Sequence, residues 1–175
     1  MNPQTVLRLL TCLAVIAIGQ TSSTLHAQET CGAVFDALTK VVTTPNHSYS
    51  TRTTNGKALI SERIYTQGKA FIRVNGKWTT IREDTTEILQ QEADNRKHGT
   101  ATCQAVREES VDGQRATVYS LHSKTEYATQ DAQMWIAKST GLPLREEMDT
   151  DVGVGNMGKS HLSTRYEYSN IQPPM

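Results

Sequence analysis

Residues 135–146 read Trp135-Ile136-Ala137-Lys138-Ser139-Thr140-Gly141-Leu142-Pro143-Leu144-Arg145-Glu146. This stretch consists of an apolar segment, a tight turn and a second segment. Gly141 can take the positive φ that a tight turn needs, and Pro143 fixes φ and removes a backbone donor at the start of the returning segment. The pattern predicts a β-hairpin.

Further hairpins are indicated on both sides of this stretch. The turns are Gln67-Gly68, Asn75-Gly76 and Asp112-Gly113, and Asn-Gly and Asp-Gly are strong hairpin signals because both residues tolerate a positive φ. Near the C-terminus, residues 161–168 alternate between polar and less polar side chains, which predicts a strand with one wet face. We therefore expect about eight or nine strands in consecutive hairpins.

Two segments have helical periodicity instead. Between Thr30 and Val42, apolar residues recur at spacings of three and four, which predicts an N-terminal helix carrying Cys31. Between Arg82 and Lys97, Asp84 and Glu87 form a capping-box-like start to a polar helix. Together these elements predict an α+β fold, in which a curved, mostly antiparallel sheet forms an open, unclosed β-barrel covered by helices. Such an arrangement leaves a cavity between sheet and helices.

The N-terminus has the anatomy of a secretory signal. Arg8 precedes an apolar core from Leu9 to Gly19, and Ala27 is a small residue at the expected cleavage site. A run of this length is too short to span a bilayer. We expect residues 1–27 to be a signal peptide and 28–175 to form a single domain that is periplasmic or secreted, without stable membrane insertion.

Charge and cysteine content narrow the function classes. Lysine plus arginine and aspartate plus glutamate number 18 each, so the chain has no general attraction to nucleic acid. Cys12 leaves with the signal, and Cys31 and Cys103 then form an even pair in a compartment that permits disulfides. We expect them to bond to each other. The alternative, a redox or metal pair, lacks Cys-x-x-Cys spacing.

No motif predicts catalysis, a metal or a cofactor. The chain has no nucleophile-elbow, zinc-protease or phosphate-loop pattern, so we expect a non-enzyme. The acidic run of Glu146, Glu147, Asp149 and Asp151 lacks the spacing of a calcium loop and is interpreted as a solvated strand. The remaining candidates are scattered singly and are interpreted as surface histidines: His47, His98, His122 and His161.

The order of elements resembles the LolA/LolB-like family of periplasmic lipoprotein carriers and their outer-membrane lipoprotein-sorting relatives. Residues 65–74 are similar to the family's strand pair around a Gly-Lys turn, and residues 134–145 are similar to its hairpin with Thr-Gly-Leu-Pro. The resemblance implies a LolA-like open barrel. It also matches Arg73 loosely to an arginine of that family's strand.

We therefore expect non-catalytic binding of a lipid, acyl chain or other apolar ligand between sheet and helices. The partner would be an apolar small molecule or a lipoprotein acyl chain, and the expected ligand-binding residues are Phe71, Ile72, Arg73, Trp78, Tyr119 and Trp135. Aromatic residues in an antiparallel sheet pack in the core more often than they line a cavity, which is the alternative for Phe71, Trp78, Tyr119 and Trp135. The alternative function is a structural or protein-interaction module of the cell envelope with a filled interior, docking another envelope protein through a sheet edge.

Overall fold

The structure is a computed structural model. It describes residues 23–82, 84–98, 100–124, 128–153 and 158–174, with the backbone alone for 23–30, 91, 92 and 95–98. Residues 1–22, which are most of the predicted signal peptide, lie outside the described residues.

The described residues form two helices and nine strands. In chain order they are α1 (Ser23–Thr43), β1 (Asn46–Thr54), β2 (Lys57–Thr66), β3 (Lys69–Val74), β4 (Lys77–Ile81), α2 (Thr85–His98), β5 (Thr100–Val111), β6 (Gln114–Lys124), β7 (Ala128–Ala137), β8 (Pro143–Val152) and β9 (Gly158–Glu167).

All nine strands belong to one antiparallel sheet with the order β4-β3-β2-β1-β9-β8-β7-β6-β5. Strands β4 and β5 are its two edges, so the sheet is open, as expected. The first and last strands, β1 and β9, pair with each other at the centre. Because α2 lies between β4 and β5 in the chain, its connection runs from one edge of the sheet to the other.

Helix α1 covers one face of the sheet, which we call the inner face. It packs against β5, β6, β7 and β8, and the Cys31–Cys103 disulfide joins it to edge strand β5. The predicted cysteine pairing is therefore present. The buried core beneath α1 consists of Cys31, Val34, Ala37, Cys103, Met134 and Ile136.

The C-terminal end of α1 is also fixed. Lys40 Nζ donates a 2.7 Å hydrogen bond to the carbonyl of Thr140 in the β7–β8 turn. Asn46, fully buried at the start of β1, donates through Nδ2 to the carbonyls of Val41 and Thr44. These contacts set the angle at which the chain leaves the helix and enters the sheet.

A second small core lies beside Trp135. Ala116, Val118, Ala137 and Leu144 are buried with this indole, and Val111 packs against the group. Val118 and Trp135 are cross-strand neighbours, and side chains alternate between the two faces. Since Met134 and Ile136 point toward α1, Trp135 lies on the opposite, outer face.

The predicted turns and the polar helix are present. Asn75, Asp112 and Gln67 have positive φ, as do the glycines that follow them. Asp84 Oδ1 accepts hydrogen bonds from the backbone amides of Thr86 and Glu87, which caps α2. The open, curved antiparallel sheet is present as expected, but the fold is mostly sheet, with few helices, rather than α+β.

Candidate functional site

An apolar row crosses the inner face from one half of the sheet to the other. Cys103, Leu121, Ala132, Met148 and Leu162 are successive cross-strand neighbours from β5 to β9. The row continues through Arg52 of β1 to Leu59 of β2. Directly opposed side chains in antiparallel strands are in contact range, so the residues from Cys103 to Leu162 form a continuous apolar surface. The exposed Arg52 separates this surface from Leu59.

Exposure increases along this row. Cys103 and Ala132 are buried, Met148 and Leu162 are half-buried, and Leu59 is 47% exposed. The buried end lies on the strands that α1 covers. The row therefore runs from the core beneath the helix to an accessible apolar side chain.

A half-buried carboxyl lies next to this row. Glu146 accepts a 3.1 Å hydrogen bond from the hydroxyl of Tyr166, and its cross-strand neighbours Met134 and Thr164 are buried. Burial raises the pKa of Glu146 and also raises the pKa of Tyr166 well above its usual value. The raised pKa values favour the protonated, uncharged forms of both Glu146 and Tyr166 on the inner face.

The outer face has a layered aromatic group around Trp135. Its side chain is only 5% exposed, because the guanidinium groups of Arg107 and Arg145 lie over the ring at 5.6 and 4.8 Å from its centroid. The indole Nε1 donates a 2.7 Å hydrogen bond to Glu109. This arrangement satisfies the indole donor and covers both its edge and its face, which is the role of a packed structural residue.

A second aromatic group lies on the outer face of β1–β4. Glu62 bonds to Arg73, whose guanidinium lies 5.3 Å from the centroid of Trp78. The other oxygen of Glu62 lies 3.3 Å from His47 Nε2, and His47 Nδ1 lies 3.1 Å from the hydroxyl of Tyr49. The side chains thus form a hydroxyl–imidazole–carboxylate chain.

This chain does not favour nucleophilic catalysis. Burial lowers the pKa of His47, and burial together with Glu167 raises the pKa of Tyr49. An activated nucleophile needs a lowered pKa, whereas this phenol is held in its neutral form. The group is therefore best described as a hydrogen-bonded structural network.

An open cleft of about 600 Å³ lies further along the outer face, between the β1–β2 turn and strands β7–β9. His161 Nδ1 lies 2.8 Å from Asp149, and its Nε2 lies 3.0 Å from Glu147. His122 Nδ1 lies 2.7 Å from Asp131, which is the cross-strand neighbour of Asp149. In the part of the chain that the structure describes, no three such groups are arranged to hold a metal ion.

The six predicted ligand residues fall on two faces. The pairing of Tyr119 with Met134 places Tyr119 on the inner face, and the pairing of Ile72 with Arg63 places Ile72 there as well. The other four lie on the outer face: Phe71, Arg73, Trp78 and Trp135. The structure therefore does not bring the six together, and a ligand role for the four outer residues stays a prediction about a separate surface.

Several residues of these groups were not singled out from the sequence. Leu59, Met148 and Leu162 are far apart in the chain, and the sequence around His161 predicts an isolated surface histidine. Only the Arg–Glu pairs of the outer face have a signal in the sequence. The pattern Arg-x-Glu recurs at 107–109, 145–147 and 165–167. In each case the arginine bonds to the glutamate two residues later, on the same face.

Comparison with known proteins gives distant structural likenesses. No protein-family model matches the chain, and no curated protein is significantly similar to it. MucB has 12% identity and a TM-score of 0.45 over 86% of this chain and 62% of MucB. LprF from Mycobacterium bovis has 9% identity and a TM-score of 0.43 over 87% of this chain and 97% of LprF.

The lipoprotein YmcC from Escherichia coli has 12% identity and a TM-score of 0.34, over 87% of this chain and 95% of its own. The chain spans less than two thirds of the length of MucB. TM-scores below 0.5 at such identities are too low to assign a family or a ligand.

Neither described helix combines the length and apolar character that crossing a bilayer requires.

Proposed function

We propose that this protein is a non-catalytic binding protein of the cell envelope that holds an apolar chain against the inner face of its sheet. The observation that carries this proposal is the row from Cys103 past Arg52 to Leu59, which is buried at the Cys103 end and accessible at the Leu59 end. An open sheet can receive a ligand along such a row without opening its core. The free energy would come from removing apolar surface from water.

The ligand-lining residues we propose are those of the inner face next to the accessible end of the row. They are Leu59, Ile72, Met148 and Leu162, with Tyr119 at the edge of the α1 core. Two of the residues first expected from the sequence, Ile72 and Tyr119, belong to this set. A periplasmic or secreted location, with a signal cleaved near Ala27, remains part of the proposal.

The chain offers a matched pair of variants for the test. Leu59 and Ile60 are consecutive residues of β2, both exposed, at 47% and 67%, and strand alternation places them on opposite faces. Leu59→Glu introduces a charge at the accessible end of the apolar row on the inner face, whereas Ile60→Glu introduces the same charge on the outer face. Titration with the neutral fluorescent probe N-phenyl-1-naphthylamine measures uptake in both variants.

We expect wild type and Ile60→Glu to bind the probe with similar affinity and Leu59→Glu to bind it about tenfold more weakly. Urea unfolding of both variants checks that each is folded. Equal binding by the two variants would place the site elsewhere. A wild-type protein that takes up no probe, and that carries no extractable lipid in native mass spectra, would favour the alternative of a protein-interaction module.

A further inference from the structure

The inner face of the first four strands has a one-sided distribution of charge. Its charged side chains are Arg52, Lys57, Arg63 and Lys77. Strands β1–β4 are described throughout, and their inward positions hold no carboxylate. Their one acidic residue, Glu62, lies on the outer face, where it bonds to Arg73 and His47.

The cations are paired in register with apolar residues. Leu59 lies directly opposite Arg52, Ile72 opposite Arg63, and Val74 opposite Lys77. Each large apolar side chain on the inward positions of β2 and β3, apart from Tyr65, thus has a basic residue as its cross-strand neighbour. Arg63 also lies over the ring of Tyr65, 5.5 Å from its centroid.

This arrangement extends the proposed function by specifying the ligand's head group. Long basic side chains pack their methylene stems along apolar surface and keep their charge at its margin. The acyl chain of a ligand that lies on Leu59 and Val74 would therefore end beside the positive charges of Arg52 and Lys77. The inner-face carboxylate of Glu146 lies on β8, where it accepts a hydrogen bond from Tyr166.

We propose that the inner face of β1–β4 binds a long-chain fatty acid, with the acyl chain on the apolar row and the carboxylate beside Arg52 and Lys77. This inference rests on the proposed function. Charge complementarity commits the site to an anionic amphiphile rather than to a neutral one. The exposed positions of Arg52 and Lys77 leave the carboxylate partly in water, so binding weakens with salt.

The test compares oleate with oleyl alcohol, which has the same chain and no charge, by displacement of N-phenyl-1-naphthylamine below the critical micelle concentration. The variant is Arg52→Gln/Lys77→Gln, which leaves the Arg63–Tyr65 contact intact. The control is Lys69→Gln/Arg165→Gln, which removes two exposed cations from outward positions. We expect wild type to prefer oleate about tenfold and the inner-face variant to lose most of that preference.

The outcomes separate the two proposals. Equal binding of oleate and oleyl alcohol by wild type, with no effect of the inner-face variant, would overturn the fatty-acid inference and leave the apolar binding function intact. Loss of oleate preference in the outer-face control would also overturn it, since net charge alone would then explain the result. Failure of wild type to bind oleate, oleyl alcohol and the probe would contradict the proposed function itself.

Discussion

Lys40 Nζ donates a 2.7 Å hydrogen bond to the backbone carbonyl of Thr140, so the last turn of α1 is joined directly to the β7–β8 turn. The next residue, Gly141, has a φ of +67°. A Cβ added there would lie 2.6 Å from Lys40 Nζ. The turn that defines the hairpin therefore also provides the docking point of the helix.

Gly141→Ala should destabilise the protein in two ways. The positive φ costs an alanine about 1–2 kcal/mol, and the new methyl group would displace Lys40 from Thr140. Gly113→Ala is the matched control, because Gly113 has a φ of +80° and nothing within 4 Å of an added Cβ. Urea unfolding should give a larger loss for Gly141→Ala. Equal losses would show that the lysine contact contributes nothing.

The disulfide should account for a large part of the stability. Cys31 and Cys103 are 72 residues apart, and closing a loop of this size restricts the unfolded chain by about 4 kcal/mol. The double variant Cys31→Ser/Cys103→Ser should lose stability of this order in urea unfolding. Wild type treated with a reductant serves as the control and should show the same loss. A double variant as stable as oxidised wild type would refute this expectation.

Trp135 should contribute to stability without contributing to ligand uptake. Trp135→Phe removes the hydrogen bond from Nε1 to Glu109. We expect a small loss of stability from this hydrogen bond, because Glu109 is exposed to solvent. Binding of N-phenyl-1-naphthylamine should be unchanged, since the indole lies on the outer face.

Glu109→Gln is the control for that interaction, because glutamine keeps an acceptor and loses the charge. Glu109→Gln should reduce the free energy of unfolding by less than Trp135→Phe does. A folded Trp135→Phe protein that binds the probe several-fold more weakly would move the site to the outer face. It would then support the four outward residues first expected from the sequence.

The hairpins could be predicted from the sequence because their signals are local. Asn75-Gly76 and Asp112-Gly113 specify turns by backbone conformation alone, and Asp84 specifies the start of α2 by capping. Strand β1 was harder to predict, because residues 46–54 lack an apolar alternation and are held by neighbours on both sides. The central pairing of β1 with β9 joins the two ends of the chain, and no short pattern encodes it.

The candidate site depends on that same long-range pairing. Leu59 and Leu162 share a face on either side of Arg52 only because β2 and β9 both pair with β1. His161 faces Asp149 only because β8 and β9 pair in one register. A shift of one residue would turn these side chains to the opposite face. The residue types could be read from the chain, but the register that groups them could not.

The histidine cluster of the outer cleft predicts a dependence of stability on pH. Carboxylate oxygens lie within hydrogen-bond distance of both ring nitrogens of His161, and carboxylates only accept, so the imidazole must carry two protons. Hydrogen bonding to Asp149, supported by Glu147, raises the pKa of His161.

A histidine whose pKa is higher in the folded state than in the unfolded state stabilises the fold fully below the unfolded value, about 6.5, and this contribution is lost as pH rises through the folded value. Because His161 is largely exposed, solvent screening limits the effect to under about 1 kcal/mol. Urea unfolding from pH 5.5 to 8.5 should show that the stability of wild type relative to His161→Gln falls over this window; His47, whose pKa is lowered, contributes a slope of opposite sign to both proteins. Titration of the imidazole by NMR should give the raised pKa directly. A stability difference that does not change with pH would refute the contribution of His161, and an unshifted imidazole pKa would contradict the doubly hydrogen-bonded geometry.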